Sequence, residues 1–343
     1  MDFSSDTSAP THPSVLEALK DANTGNAASY GSDTVTEAVR QRLIEVFETD
    51  DFEFWICASG TASNALALSC FCPPTGAILC HADAHIAVDE RGAPEFFTGG
   101  GKLQLLPGAS GKIAEPGLRD ALARINPEFV HETPAHVLSL TNLTESGCAY
   151  MASEITHYAA LAHHNDLVVH LDGARLANAL VSTGARPAEM TWQAGVDVLT
   201  FGLTKTGAIG CEIILLFGKA QQAFADLQAR AKRSGHMPPK MRFLAAQALA
   251  LLDQGLWLDL AASANQFARQ VSNILCTAPG VSLTQPVDGN EVFATLPPEL
   301  VSQLTAAGAK FYPWPDGSYR LVCSWATSET ELEALRAAVS GKT

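Results

Sequence analysis

The chain has 343 residues, 47% of them hydrophobic and 17% charged, enough for a large buried core and a second, smaller one. A formal net charge of -14 argues against nucleic acid or an anionic membrane surface as partner, because both are bound by clustered Lys and Arg; a small anion held locally remains compatible. The start, Met-Asp-Phe-Ser-Ser-Asp, has neither a basic stretch nor an apolar core, and the longest apolar-rich run, Phe243 to Leu252, is broken by Gln247 and too short for a bilayer, so a cytoplasmic protein is expected.

In chain order, the polar opening Ser4-Ser5-Asp6-Thr7-Ser8 precedes a helix from about Ser14 to Asp21, with Pro13 where a first turn tolerates it. A turn cluster, Asn23-Thr24-Gly25-Asn26, and the segment Ser29 to Asp33, which carries Tyr30, lead to an amphipathic helix from Thr36 to Phe47. Phe52 to Cys57 reads as a strand. It runs into Ser59-Gly60-Thr61 and a helix from Ala65 to Cys70, a junction that leaves backbone N–H groups aimed at one point and suits either a phosphate or an ordinary cap.

The strand Ala77 to Cys80 leads to His81 and His85; His85 reads as a pocket residue able to lie against a flat ring or move protons. A strand from Leu103 to Leu106 and a helix from Glu115 to Ile125 follow. His136 to Thr141 is a strand ending in the polar loop Asn142 to Gly147, and Ser153 to His163 is a helix. Asp166 to Leu171 reads as a buried parallel strand that delivers Asp172-Gly173-Ala174-Arg175 at its C-terminal end, the edge at which open α/β sheets bind ligands.

The strand beginning at Val196 stops at Gly202, and another runs from Ile213 to Phe217. Between them lies Lys205, which by itself reads either as a solvated loop lysine or as an amine made nucleophilic by loss of water. Helices from Lys219 to Lys232 and Met241 to Leu252 flank the basic stretch that includes Lys240. Beyond Gly255 the pattern changes to a helix, then strands at Val281 to Leu283, Glu291 to Thr295 and Tyr319 to Trp325, with Arg320 near the start of the last, and a helix from Glu329 to Val339.

Three parts are therefore expected: an N-terminal segment, 1–14, contributing to the active site; a large α/β domain, 15–250, with a mostly parallel sheet; and a small α+β domain, 251–343. The eight cysteines read as free thiols, and Cys70, Cys72 and Cys80 match no common zinc spacing, so no metal is expected.

Strand-end loops gather Ser59, Gly60, Thr61, His85, Asp172, Arg175 and Lys205 along one rim. An aspartate for a ring nitrogen, a lysine for an aldehyde and a helix N-terminus for a phosphate are the parts that hold pyridoxal phosphate. Asp172 would keep the pyridine nitrogen protonated and His85 would stack on the ring.

The segments Ser5-Asp6-Thr7, Tyr30-Gly31, Ser59-Gly60-Thr61-Ala62-Ser63-Asn64, Ala84-His85, Ser139 to Asn142, His170 to Arg175 and Gly202-Leu203-Thr204-Lys205 occur in the order seen in low-specificity L-threonine aldolases, which the chain resembles over nearly its whole length. The ending Arg320 to Trp325 resembles a bacterial branch that includes phenylserine aldolases.

The resemblance implies PLP fold type I and a homodimer or homotetramer with shared active sites. It implies retro-aldol cleavage of L-threonine, L-allo-threonine and related β-hydroxy-α-amino acids to glycine and an aldehyde. Lys205 would be the cofactor-bonding lysine, with Thr204 beside it. Ser5, Arg175 and Arg320 would hold the substrate carboxylate, Tyr30 would line the substrate site, and His85 would take the β-hydroxyl proton directly or through water. Where many members carry a histidine after the Ser-Leu strand, this chain has Thr144-Glu145. An arginine that contacts phosphate across the dimer is replaced, with Lys240 as its counterpart. A β-eliminating lyase or a serine hydroxymethyltransferase-like enzyme would use much of the same site; a nucleotide-binding module would have no use for Lys205.

Overall fold

The computed structural model describes residues 1–126 and 128–341. The large sheet consists of β1 (Phe52–Cys57), β2 (Ala77–His81), β3 (Lys102–Leu106), β4 (Ala135–Thr141), β5 (Val168–Gly173), β6 (Val198–Gly202) and β7 (Glu212–Phe217), in the spatial order β1-β7-β6-β5-β4-β2-β3. Only β7 runs against its neighbours, so the sheet is mostly parallel and the C-terminal ends of β1, β2, β4, β5 and β6 lie along one edge. β6 and β7 are buried at every position, as strands covered on both faces should be.

Two glycines let the central strand ends close on one another. A Cβ on Gly173 would lie 2.8 Å from the Thr200 carbonyl oxygen, and one on Gly202 would lie 2.7 Å from Ala174 Cα. The turns that carry Asp172 and Lys205 therefore leave the sheet side by side.

A second, antiparallel sheet is formed by β8 (Ser282–Leu283), β9 (Glu291–Thr295), β10 (Tyr312–Pro313) and β11 (Tyr319–Val322), in the order β10-β11-β9-β8. Its core joins Val292, Ala294 and Leu321 to Leu304 of helix Pro298–Ala306 and to Leu332 and Leu335 of helix Glu329–Val339. Helix Leu256–Leu275 serves both cores: Trp257 and Ala261 pack in the large one, Ala268, Val271 and Leu275 in the small one.

The first residues join the two sheets. Phe3 is fully buried in the small core, its N–H donating to Lys310 O and its carbonyl accepting from Val322 N. Further along, His12 N–H donates to Gly207 O, just past Lys205.

Several elements differ from the sequence expectation for local reasons. The helix expected from Ala65 begins at Gly60, because the Ser59 hydroxyl accepts from Ala62 N at 3.3 Å and caps it there. The strand expected from Asp166 starts at Val168, since Asp166 takes a left-handed backbone with φ 57. The strand expected to reach Trp325 stops at Val322, and Ser324 N–H then donates to the Thr327 hydroxyl at 2.9 Å. Residues 218–234 are a 3-10 stretch followed by the α-helix Phe224–Ser234. Helices His85–Val88, Ala93–Thr98, Leu176–Thr183, Pro187–Met190 and Pro298–Ala306 were not legible as periodic runs. All eight cysteines are unpaired. Among the described residues no helix is long and apolar enough to cross a membrane, and no group of His, Cys, Asp and Glu side chains is placed to hold a metal.

Candidate active site

Asp172, buried near the end of β5, has both carboxylate oxygens occupied. Oδ1 accepts from Ala174 N at 3.0 Å, and Oδ2 accepts from Asn64 Nδ2 at 2.8 Å. Next to it, β6 ends at Gly202 and Lys205 follows on a 3-10 turn, Thr204–Thr206. Cys211 N donates to the Thr204 hydroxyl oxygen at 3.1 Å, so Thr204 closes the turn that presents Lys205. Lys205 itself is half-buried, and its charge acts on both Asp6 and Glu212.

His85 opens the short helix after β2, and its Nδ1 lies 3.0 Å from Glu90 Oε1. That same oxygen accepts from Asn64 Nδ2 at 2.9 Å, so Asn64 bridges Glu90 to Asp172. The bond to Glu90 is the main reason the His85 pKa stands above its ordinary 6.5; burial opposes it. Neither Asn64 nor Glu90 was picked out from sequence. The signal was present in Asn64, an amide in a buried helix of small and apolar residues and hydroxyls, where an unpaired polar group would be costly.

Ser59, Gly60 and Thr61 form the first turn of helix Gly60–Ser69, whose leading N–H groups have no intrahelical acceptor. A side chain built on Gly60 would meet nothing within 4 Å, so the backbone there is open to a ligand. On the other side of the Lys205 turn, β7 begins with Glu212, a further residue that sequence reading passed over. Burial pushes its carboxyl up to about 7, with Thr204 and Lys205 pulling the other way.

A separate cluster assembles around Arg175, three residues after Asp172. Its Nε and Nη2 donate to the two oxygens of Asp6 at 2.8 and 3.1 Å, a bidentate pair that is buried on both sides. Burial alone would raise the Asp6 pKa, but Arg175 and then Lys205 outweigh it and hold Asp6 at about 2. One edge of the Arg175 guanidinium is thus committed to Asp6, a partner that the sequence reading did not provide for.

Arg320, on β11, lies with Cζ 4.8 Å from the Trp314 ring centroid and Nη1 3.9 Å from Glu291 Oε1. Arg175 Nη2 is 3.6 Å from the same Glu291 oxygen. The antiparallel sheet therefore does bring Arg320 to Arg175, with a buried glutamate between them that sequence reading missed. Ser5 precedes Asp6 and caps the 3-10 turn Asp6–Ser8, its hydroxyl accepting from Thr7 N at 3.2 Å.

Tyr30 and Lys240 are not brought to this rim by their recorded contacts. Tyr30 N donates to Pro239 O at 3.1 Å and its ring lies 4.4 Å from Lys232 Nζ, so it sits with the Lys240 stretch. The pocket it lines is formed with Arg40, Phe54, Trp55 and Phe224, on the β1 flank.

The residues fit pyridoxal phosphate on their own chemistry: an open helix N-terminus for the phosphate, a half-buried lysine for the aldehyde, and a buried aspartate oriented by two donors for the ring nitrogen. Carried at one edge of a mostly parallel seven-stranded sheet, they put the chain among the fold type I pyridoxal-phosphate enzymes.

Comparison with known proteins narrows the class. Residues 2–297 match the beta-eliminating lyase family. A low specificity L-threonine aldolase of Pseudomonas aeruginosa is 38% identical over 97% of this chain and 94% of its own length. Another of that name, from a Pseudomonas species, is 37% identical over 98% of this chain and 96% of its own. The solved threonine aldolase of Leishmania major superposes with a TM-score of 0.91, covering 100% of this chain and 99% of that one at 26% identity. The chain belongs to the beta-eliminating lyase family and, within it, to the low-specificity L-threonine aldolases, a pyridoxal-phosphate-dependent family of aldehyde-lyases.

Proposed function

We propose that this chain cleaves L-threonine, L-allo-threonine and related β-hydroxy-α-amino acids, phenylserine among them, to glycine and an aldehyde. The observation that carries the reading is the delivery of Asp172 and Lys205 from adjacent parallel strand ends, with Arg175 on the same turn as Asp172. Pyridoxal phosphate, when bound, supplies the electron sink for the pair released as the Cα–Cβ bond breaks.

The chain's own residues do the rest. Lys205 would supply the amine that holds the cofactor through its aldehyde. Asp172 holds a proton on the pyridine nitrogen, and Asn64 keeps its carboxylate from turning away. Ser59, Gly60 and Thr61 receive the phosphate, with Thr204 closing the adjoining turn. Arg175, Arg320 and Ser5 would hold the substrate carboxylate and so fix the torsion about its Cα. His85 would flank the cofactor and take the β-hydroxyl proton, directly or through water. Its tether to Glu90 leaves Nε2 as the working nitrogen.

Tyr30 and Lys240 act in the site of a partner subunit in a homodimer or homotetramer, reaching its substrate and its phosphate respectively. Supporting this, Tyr30 is exposed and holds a left-handed backbone (φ 61), which costs a non-glycine residue about 1 kcal/mol or more and is commonest at functional positions. Unpaired thiols throughout suit the cytoplasm.

The test is to incubate the purified, cofactor-loaded protein with threonine, allo-threonine and phenylserine. Equal yields of glycine and the matching aldehyde are expected. A keto acid with ammonia would mean β-elimination instead, and a protein that gains no visible band with pyridoxal phosphate would overturn the reading. Light scattering of the same sample should give a dimer or a tetramer.

A further inference from the structure

Glu291 opens β9 in an unusual setting. It is fully buried, and neither carboxylate oxygen has a hydrogen-bond partner among the described residues. It nevertheless faces two guanidinium groups, Arg175 Nη2 at 3.6 Å and Arg320 Nη1 at 3.9 Å from the same oxygen, Oε1. The loop after β4 packs directly on it: a Cβ on Gly147 would lie 3.2 Å from Glu291 Cβ. A buried carboxylate without hydrogen bonds is costly unless it is ion-paired or protonated, and this one is poised between the two conditions.

The charges around it leave little room for another anion. From the N-terminal segment comes Asp6, already paired with Arg175; from β11, Arg320; from the helix N-cap after β5, Arg175; and from the loop after β4, the buried Glu145 and the thiol of Cys148. Three acids thus face two guanidinium groups. A substrate carboxylate brought to Arg175 and Arg320 would make four.

We propose that Glu291 is the stand-in anion of the carboxylate subsite: with no amino acid bound it is the group that Arg175 and Arg320 share, and it takes up one proton from solvent when the substrate carboxylate replaces it there. The proposal rests on the reading that these two arginines receive the substrate carboxylate. The proton adds to a Glu291 oxygen on binding and returns to solvent on release; no other bond changes. Burial, the largest influence, already pushes the Glu291 carboxyl above its ordinary range, with Arg175 opposing and Asp6 adding to it. Since protonated Glu291 is the form that admits the carboxylate, affinity is greatest below its pKa and falls as the pH rises through it.

Glycolate, which has the carboxylate of the substrate without its amine, is the probe. Its binding to the cofactor-loaded protein is measured by titration calorimetry in buffers of different ionisation enthalpy. At pH values above the Glu291 pKa the wild type should take up close to one proton per site, and its dissociation constant should rise by up to about tenfold per pH unit there. Glu291→Gln should bind glycolate with no proton uptake and little pH dependence. Binding by the wild type without proton uptake, which requires no variant to fold, would overturn the proposal, as would uptake that persists in Glu291→Gln. Arg320→Ala separates this from the underlying reading: it should abolish glycolate binding. Unchanged binding in that variant, or none in the wild type, would sink the carboxylate-subsite reading and the proposal with it, while leaving the glycine assay to judge the cleavage activity.

Discussion

The two ends of the candidate site are built by different physics. At one end, Asp172 and Lys205 leave adjacent strands whose register is fixed by the sheet, and Asp172 has both oxygens hydrogen-bonded. At the other end, Asp6, Arg175, Glu291 and Arg320 come from the N-terminal segment, a helix N-cap and the antiparallel sheet. They are held together largely by charge. The first end is set by backbone geometry, so its response to pH should come through the side chains beside it, His85 and Glu212. The second should respond to any change in the balance of its acids and bases.

Substitutions can probe that contrast, beginning with the most severe. Lys205→Ala should eliminate the visible band of the lysine-bound cofactor and lower cleavage by at least about a thousandfold, while the melting of the protein without cofactor stays near that of the wild type. A retained band would remove Lys205 from its role.

At the other end, Asp6→Asn leaves Arg175 without its bidentate anion and should destabilise the fold by about 3 kcal/mol, read by denaturant unfolding. The pH dependence gives the same information without a mutation. With its folded pKa near 2 against an ordinary 3.8, ionised Asp6 contributes stability on the order of 2 kcal/mol that is fully present above the higher value and is lost as pH falls through the lower. A loss confined to higher pH would point to other groups.

The mildest effect is expected at the first end. Glu90→Gln removes the bond that raises the His85 pKa, so the limb of the pH–rate profile that belongs to His85 should move to lower pH, with the maximal rate reduced by less than about tenfold. A limb that does not move would separate His85 from the proton transfer.

The same contrast explains what was legible in the sequence. Strand-borne residues announce themselves, because an apolar run that ends in a polar motif marks both the strand and the rim: Asp172-Gly173-Ala174-Arg175 and Thr204-Lys205 are of this kind. The family resemblance added the roles of Ser5, Arg175 and Arg320, and the structure brings the two arginines together. Partners far apart in the chain leave no such mark. Asp6 meets Arg175 across 169 positions and Asn290 across 284, and neither contact follows from local spacing. A weaker sign was present for three residues: Asn64, Glu212 and Glu291 are amide or acid side chains in or at the start of largely buried elements, where burial demands a reason. Tyr30 and Lys240 were assigned to the site through family likeness, and the fold of a single chain seats them on the β1 flank.

The first twelve residues act as a tether with three knots. Phe3 is tied into the small core, Asp6 to Arg175, and His12 to the backbone just past Lys205. A single nick in this stretch would therefore loosen carboxylate recognition and the presentation of the lysine together, although neither arginine nor the lysine had been touched.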